Sequence, residues 1–228
     1  MKNYRYIFWD LDGTVTDSYE GVSKCLLYAF KEYDVKVMGE KADEHTDYRR
    51  FIGPPFRESF PKYTDVSDDM LETVIEKYRE RYNPIGVFEC AIFPGVRETL
   101  IELREKGMKN VLTSSKPERA CRDILKKFDI DGLFDEIVGA TPDGRIDTKA
   151  EVLNEAFRRL KEADGSYKKE DTVLIGDTKY DAEGAKKAGI DCVGVTYGFG
   201  TGEELTKAGA YELFQNQETL REALTSRD

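Results

Sequence analysis

The sequence has little of what builds several common kinds of functional site. Its four cysteines are widely spaced and form no CxxC pair, which argues against zinc and redox centres. We expect reduced, buried thiols in a cytoplasmic protein. The only histidine, His45, lies among charged residues, where a surface role is expected rather than a catalytic one.

Long apolar runs and basic runs are missing as well. No stretch approaches the roughly 20 apolar residues of a transmembrane helix, so neither a signal peptide nor a membrane anchor is predicted. The formal net charge is −10, and no basic run is longer than a pair. Such an acidic chain repels nucleic acid and anionic membranes, so neither is an expected partner. A site for an anionic substrate would need a metal ion, a lysine or both.

What the sequence does contain is an alternation of strand and helix patterns. From Pro94 onward the two alternate, which predicts a parallel sheet covered by helices on both faces. The apolar run Tyr4–Trp9 has the character of a buried strand of the same sheet. Residues 18–90 show only helical patterns. We therefore predict an α/β core formed by residues 1–17 and 91–228, with an inserted all-helical domain at 18–90.

Periodicity and turn residues also predict the individual elements, up to Val195. Gly198–Gly202 does not fit the GxGxxG pattern, so a flexible loop and no nucleotide cofactor are predicted there. The predicted strands are Tyr4–Trp9, Lys109–Leu112, Glu136–Gly139, Thr172–Ile175 and Asp191–Val195. The predicted helices are Ser18–Tyr33, Asp43–Phe51, Phe56–Phe60, Ser67–Tyr82, Pro94–Lys106, one that starts at Pro117, Lys149–Leu160 and Asp181–Ala188.

Polar side chains follow three of the predicted strands. Because ligands of a parallel sheet collect at the carboxyl ends of its strands, we expect these side chains to form one site. Carboxylates brought together in this way repel one another without a cation, and hard oxygen ligands suit magnesium. A serine at a helix start and a lysine would bind an anion. The residues are Asp10 and Asp12, Thr113–Lys116, Asp177 with Asp181, and Lys149 at a helix start.

These residues match, in order, the four motifs of the haloacid dehalogenase-like hydrolase superfamily. The motifs stand here as Asp10–Asp17 (DLDGTVTD), Val111–Ser114 (VLTS), the lone Lys149, and Gly176–Asp181 (GDTKYD). Each motif alone is weak, but the ordered set spans most of the chain. The resemblance implies a Rossmann-like core, and the helical insert resembles a C1-type cap.

Further segments resemble the phosphoglycolate phosphatase branch of that superfamily. They are Phe51–Pro55, Phe93–Val96, Ser115–Glu118 and Asp143-Gly144. The resemblance implies a magnesium-dependent phosphatase that acts on small phosphate esters through an aspartyl-phosphate intermediate. Phosphoglycolate is the expected substrate, while nucleoside monophosphates, pyrophosphate and sugar phosphates stay open.

The resemblance also implies a role for each matched residue. Asp10 would attack phosphorus, and Asp12 would act as acid and base. Mg²⁺ would be held by Asp10, by Asp12 through its carbonyl, and by Asp177, with Asp181 orienting its neighbours. The phosphoryl oxygens would be held by Ser114, Ser115 and Lys149, and counting back from Lys116 leaves Thr113 as an alternative to Ser114.

Other functions remain open at this point. A sugar phosphomutase would use the same intermediate, and a receiver-like module would be phosphorylated on aspartate without turnover. A degenerate scaffold that binds a partner is a further alternative. Within the insert, Arg49, Arg50 and Arg57 could contact a second anionic group or could simply be solvated. A monomer or a homodimer is expected.

Overall fold

The computed structural model describes residues 1–226. The chain divides into two compact units, one formed by Met1–Asp17 together with the chain from Ile92 onward, the other by Ser18–Ala91. All four cysteines are free thiols, and three of them are buried as expected, whereas Cys90 is only half-buried. Within the described range, every helix is too short or too polar to cross a membrane.

The elements are numbered in chain order. The strands are β1 (Tyr6–Trp9), β2 (Thr16–Asp17), β3 (Lys36–Val37), β4 (Glu40–Lys41), β5 (Ala91–Ile92), β6 (Lys109–Pro117), β7 (Glu136–Ala140), β8 (Thr172–Gly176), β9 (Asp191–Val195) and β10 (Glu212–Phe214). The helices are α1 (Tyr19–Glu32), α2 (Phe56–Tyr63), α3 (Leu71–Tyr82), α4 (Val96–Glu105), α5 (Glu118–Lys127), α6 (Lys149–Ala163), α7 (Lys179–Ala188), α8 (Gly202–Ala208) and α9 (Gln217–Thr225). Short 3₁₀ turns occur at Arg49–Phe51, Gly86–Phe88, Asp131–Leu133 and Lys169–Asp171.

A six-stranded parallel sheet forms the centre of the first unit. Its strand order is β10-β9-β8-β1-β6-β7. The chain runs outward from β1 through β6 and β7, then returns to the other side of β1 and runs outward again. The order therefore reverses at β1, and such a reversal opens a crevice at the carboxyl ends of the strands. This sheet confirms the predicted Rossmann-like α/β fold.

The register places the end of β1 beside the ends of both its neighbours. Trp9, the last residue of β1, lies opposite Leu112 of β6 and Ile175 of β8. The next residue, Asp10, is thus the first one beyond the central strand. The four residues of β1 are all buried, as expected for a parallel strand that is covered on both faces.

The two faces of the sheet are filled differently. Tyr6 and Phe8 belong to an apolar core with residues of α6 and α7. On the opposite face the Trp9 indole donates a hydrogen bond to Asn110 Oδ1 (3.2 Å). The Asn110 amide donates in turn to the carbonyl of Leu100 in α4 (3.0 Å). This buried polar side chain is satisfied, so it fixes α4 against the sheet without an uncompensated desolvation cost.

The unit Ser18–Ala91 is mainly helical, but it is not all-helical as predicted. Strands β3 and β4 form a short antiparallel hairpin, and its two-residue loop, Met38-Gly39, has positive φ at both positions. This is the conformation of a type I′ turn, and the glycine is the sequence feature that indicates it. The predicted helix Asp43–Phe51 is also wrong, because only the 3₁₀ turn Arg49–Phe51 forms there.

The carboxyl-terminal part of the first unit contains elements that periodicity did not predict. Helix α8, strand β10 and helix α9 all follow Val195. The glycine-rich segment predicted to be a flexible loop leads directly into α8, whose first residue is Gly202. Pro117 precedes α5 as its N-cap residue rather than standing at its first helical position.

Candidate active site

Four buried charged side chains meet beyond the ends of β1 and β8, and we call them the strand-end cluster: Asp10, Lys149, Asp177 and Asp181. The Lys149 ammonium contacts Asp10 Oδ1 and lies 2.8 Å from Asp181 Oδ1. It also donates a hydrogen bond to the Thr113 carbonyl (2.9 Å). One oxygen from each of the three carboxylates lies within 4.8 Å of the others. One lysine therefore faces three acidic groups.

Two capping boxes place the cluster's helical members. Thr148 caps α6 by accepting from the backbone of Glu151, whose carboxylate accepts from the Thr148 N–H, so Lys149 becomes the first helical residue. In α7 Asp181 is itself the acidic member of the box and accepts from the backbone and hydroxyl of Thr178 (3.1 and 2.9 Å). That box uses Oδ2 of Asp181 and leaves Oδ1 to the lysine.

Burial dominates the electrostatics of the cluster. It raises the pKa of Asp10 to about 7, against the opposing effect of Lys149 and with a further upward contribution from Asp181. Burial also raises the pKa of Asp177 well above its usual range, and Asp181 and Asp10 add to that. For Lys149, burial favours a lower pKa, but the two neighbouring carboxylates outweigh it and raise the value. The cluster thus has an excess of acid that a bound cation would balance.

The donor set fits a hard divalent ion such as Mg²⁺, because carboxylate oxygens are its preferred protein ligands. The orientation of Asp177 is fixed from two sides. Its Oδ1 accepts from the Thr14 hydroxyl (3.3 Å) and its Oδ2 from the Phe199 N–H (2.7 Å). A Cβ atom added at Gly13 or at Gly198 would collide with the same carboxylate. Side chains at these two positions would fill the space that Asp177 occupies.

The segment around Phe199 is a part of the candidate site that the sequence motifs do not include. Its glycines predict a flexible loop, whereas Gly198 and Gly200 come so close to Asp177 that neither has room for a side chain. The available signal was the glycine spacing itself, because glycine is also the residue used where the backbone approaches another group closely.

Asp12 lies beside the cluster rather than within it. Its Oδ2 is paired with the Lys116 ammonium at 3.0 Å, and both side chains are mostly buried. Its other oxygen, Oδ1, is buried and has no hydrogen-bond partner in the described part of the chain. The acidic group that could hold a metal is Asp10, Asp177 and Asp181. It differs in one member from the expected set of Asp10, Asp12 and Asp177, in which Asp12 would act through its carbonyl.

The end of β6 supplies the hydroxyl groups expected to bind phosphate. The register with β7 shifts after Thr113, so the following residues leave the regular ladder. The Thr113 hydroxyl is buried and donates to the Trp9 carbonyl (3.4 Å) within the sheet. The Ser114 hydroxyl accepts from the Lys116 N–H (3.2 Å), and Ser115 is half-buried. A bulge at a strand end is a common means of re-aiming side chains into a site.

The arginines considered for a second anionic group lie in the unit Ser18–Ala91. Arg49 makes two hydrogen bonds to the carboxylate of Asp47 (2.9 and 2.8 Å), and Arg57 makes two to Glu72 (2.7 and 2.8 Å). The Arg50 guanidinium lies over the ring of Tyr63, 5.5 Å from its centroid. Two of the three are therefore already engaged by carboxylates of the same unit.

Comparison with known proteins adds independent information about this site. The family model described as haloacid dehalogenase-like hydrolase matches residues 7–195. That range includes the strand-end cluster, Asp12 and the end of β6. The family expected from the four motifs is thereby confirmed.

Individual relatives cover almost the whole chain. A 5'-nucleotidase of Pseudomonas aeruginosa is 31% identical over 98% of this chain and 96% of its own. Tyrosine-protein kinase PtkA of Mycobacterium tuberculosis is 30% identical over 96% of this chain and 72% of its own. A phosphoglycolate phosphatase of Salmonella typhi is 26% identical over 98% and 94%.

A solved structure shows the same agreement in three dimensions. The crystal structure of a predicted phosphatase from Clostridium acetobutylicum is 34% identical, with a TM-score of 0.89 over 98% of this chain and 99% of its own. Coverage of 98% means that the agreement extends well beyond the residues of the motifs. The chain therefore belongs to the haloacid dehalogenase-like hydrolase family, and it is a phosphatase of that family.

Proposed function

We propose that this phosphatase hydrolyses small phosphate monoesters by way of a phosphorylated Asp10, with Mg²⁺ held at the strand-end cluster. The observation that carries the proposal is the meeting of three buried carboxylates and one buried lysine at the switch point of the sheet. A carboxylate can attack phosphorus where positive charge neutralises the phosphoryl group. A metal ion beside a lysine supplies that charge.

The metal would be held by Asp10, Asp177 and the backbone carbonyl of Asp12, with Asp181 orienting both Lys149 and the acidic group. When bound, Mg²⁺ neutralises charge on the phosphoryl oxygens and on the attacking carboxylate. Lys149 would contact a further phosphoryl oxygen. Ser114 and Ser115, which the shift in β6 register releases from the ladder, would donate hydrogen bonds to the same group. The Thr113 hydroxyl is engaged inside the sheet, which favours Ser114 for this role.

In the first step a carboxylate oxygen of Asp10 would attack phosphorus, and the bond from phosphorus to the ester oxygen would break. The leaving alkoxide would take a proton from Asp12. The Oδ1 atom of Asp12 is suited to this transfer because Lys116 engages only Oδ2. One carboxylate would thus act as nucleophile and its neighbour as general acid.

In the second step a water molecule would attack the phosphorylated Asp10. Asp12, now ionised, would accept the proton of that water, and the bond from phosphorus to Asp10 would break to release inorganic phosphate. The two half-reactions return Asp12 to its protonated state and Asp10 to its ionised state. No histidine is needed, in agreement with the single, exposed His45.

The substrate is proposed at the level of its chemistry, a small phosphate monoester. Resemblance of four sequence segments favours phosphoglycolate, whereas a relative that is 31% identical is a 5'-nucleotidase, which favours nucleoside monophosphates. Both candidate substrates carry the same phosphoryl group, which residues of the first unit would bind. We therefore propose that the unit Ser18–Ala91 acts as a cap that selects between the two substrates.

Release of inorganic phosphate tests this proposal. The assay would use phosphoglycolate, nucleoside monophosphates, pyrophosphate and sugar phosphates, each with Mg²⁺ and with chelator. Three proteins would be compared: the wild type, Asp10→Asn and Asp123→Asn. Asp123 is a partly exposed aspartate of α5 and serves as the matched control. We expect metal-dependent release that Asp10→Asn abolishes and Asp123→Asn preserves.

Acid quenching followed by mass spectrometry would locate the phosphoryl group on Asp10 during turnover. Full turnover in Asp10→Asn would contradict the mechanism. Conversion of a sugar phosphate to an isomer without release of phosphate would replace it by the mutase reaction. A stable phosphoprotein without turnover would replace it by a signalling role.

A further inference from the structure

A chain of hydrogen bonds leads from the start of α9 to Asp177. The Gln217 amide donates to the Tyr197 hydroxyl, and that hydroxyl donates to the Thr14 carbonyl (2.9 Å). The Thr14 hydroxyl then donates to Asp177 Oδ1 (3.3 Å). Neither Tyr197 nor Gln217 belongs to any of the four sequence motifs. They are 20 residues apart, with Tyr197 in the segment between β9 and α8 and Gln217 at the first position of α9.

The chain is built into the interior of the first unit. Gln217 is only 4% exposed, and its Oε1 is buried without a hydrogen-bond partner among residues 1–226. A Cβ at Gly95 would lie 2.9 Å from the Cβ of Gln217, so the base of this side chain is closely confined. The Tyr197 ring packs on Phe93 with centroids 4.8 Å apart. A buried amide whose oxygen has no hydrogen-bond partner lowers the stability of the fold. The hydrogen bond that the Gln217 N–H donates to Tyr197 therefore points to a role other than stability.

The position of Tyr197 relative to Phe199 adds a second constraint. Tyr197 holds the backbone of Thr14, while Phe199, two residues later, donates its N–H to Asp177 Oδ2 (2.7 Å). The same short segment therefore fixes one oxygen of Asp177 directly and the other through Thr14. Each carboxylate oxygen accepts one hydrogen bond here, and each keeps a lone pair for a metal ion.

We propose that Tyr197 and Gln217 are positioning residues for the metal site, which hold Thr14 and thereby the plane of the Asp177 carboxylate. This inference rests on the proposed function, since it assumes that Asp177 binds Mg²⁺. Outer partners of metal ligands set the geometry of the ligand, and their loss typically weakens metal binding by about 10–100-fold. Loss of the Tyr197 hydroxyl would leave the Thr14 carbonyl unpaired and free the turn that carries the Thr14 hydroxyl.

The experiment measures metal binding directly. Isothermal titration calorimetry with Mg²⁺ would be run on the whole protein for the wild type, Tyr197→Phe and Tyr211→Phe. Tyr211 serves as the control because its hydroxyl also takes part in a hydrogen bond in the same unit, which it accepts from the Tyr4 hydroxyl (3.2 Å). We expect Tyr197→Phe to raise the Mg²⁺ dissociation constant by about tenfold and Tyr211→Phe to leave it unchanged. At saturating Mg²⁺ the substrate KM of Tyr197→Phe should equal that of the wild type.

A second variant separates positioning from folding. Gln217→Leu removes the amide donor together with the unpaired oxygen, so its melting temperature in chelator should be equal to or above that of the wild type. Its Mg²⁺ affinity should nevertheless fall. Equal affinity in the wild type and in Tyr197→Phe would overturn the inference while leaving the phosphatase proposal intact. Failure of the wild type to bind Mg²⁺ would instead overturn the metal role of Asp177, and this inference with it.

Discussion

Two groups of charged side chains in the first unit show opposite ways of arranging acids and bases. In the strand-end cluster three buried carboxylates lie close together with a single lysine, which pairs with Asp10 and Asp181. On α5, β7 and α6 a second group, the helix network, pairs every acid with at least one arginine at the edge of the solvent. The helix network consists of Glu118, Glu136, Glu155, Glu162, Arg122, Arg158 and Arg159.

The two groups also differ in what the surroundings do to their pKa values. Hydrogen bonds from Arg158 and Arg159 lower the pKa of Glu155 to about 2, against a smaller effect of partial burial. In the cluster, burial instead raises the pKa of Asp10 to about 7. A paired network can stand alone, whereas an unbalanced buried cluster needs a ligand of the missing charge. That contrast favours the cluster, and not the larger network, as the candidate functional site.

The largest effect is expected when the only lysine of the cluster is removed. Lys149→Met would leave three buried carboxylates without a cation, so in chelator at neutral pH we expect a loss of about 3–5 kcal/mol of unfolding free energy. Activity should fall by at least about 10²-fold, because the variant lacks the charge proposed to face the phosphoryl group. Denaturant unfolding and phosphate release measure the two effects.

Lys161→Met provides the control for that change, because Lys161 is an exposed lysine of the same helix, α6. Its unfolding free energy should stay within about 0.5 kcal/mol of the wild type. Equal stability of the two variants would show that the cluster does not depend on its lysine, and the contrast with the helix network would then disappear.

Addition of metal should stabilise the cluster and leave the helix network unaffected. At a Mg²⁺ concentration of 100 times the dissociation constant, binding adds about 2.7 kcal/mol, which corresponds to roughly 5–10 °C in melting temperature. Asp177→Asn should abolish this shift. In chelator the loss of one repelling buried acid should offset the loss of one accepted hydrogen bond, so the stability of the variant should stay within about 1 kcal/mol of the wild type. Calorimetric melting with and without Mg²⁺ gives both values, and an undiminished shift in Asp177→Asn would exclude that residue as a ligand.

The sequence predicted the residues of the strand-end cluster better than the residues that hold them in place, and the reason is physical. Strand ends and motif spacing brought Asp10, Lys149 and Asp177 to one edge of the sheet, since a parallel sheet aligns the ends of its strands. The contacts of Phe199 and Tyr197 depend on how a loop folds back across that edge. No periodicity encodes such a contact, and glycines there are compatible both with flexibility and with close approach.

The partner of Asp12 was hidden for a related reason. Lys116 was visible as part of the polar end of β6, but its pairing with Asp12 follows from the shift in register after Thr113. A register shift changes which side chains face the site, and it leaves no mark in the hydrophobic pattern. In the unit Ser18–Ala91 the hairpin at Met38-Gly39 was missed because strands of two residues have no period to read.

Glycine substitution tests whether the cluster needs the close approach of the backbone. Gly13 and Gly107 both have positive φ (92° and 79°), so alanine strains the backbone at either position. Only at Gly13 would the added Cβ meet Asp177, whereas at Gly107 it would meet nothing within 4 Å. Gly13→Ala should therefore be less stable than Gly107→Ala by about 1–3 kcal/mol. It should also lose the Mg²⁺-dependent rise in melting temperature, which Gly107→Ala should keep. Equal behaviour of the two would mean that Asp177 can move aside.

The smallest effect is expected in the helix network. Glu155→Gln removes one acid from a partly exposed, paired group, so the loss at neutral pH should be less than about 1 kcal/mol, with activity and the Mg²⁺ shift unchanged. The pKa of Glu155 is lowered in the folded state, so its contribution is complete above its ordinary pKa of 4.5 and is lost as the pH falls toward about 2. The stability difference between wild type and variant should therefore shrink from pH 5 to pH 2 in denaturant titrations. A constant difference would mean that the Glu155 carboxylate contributes through packing rather than charge.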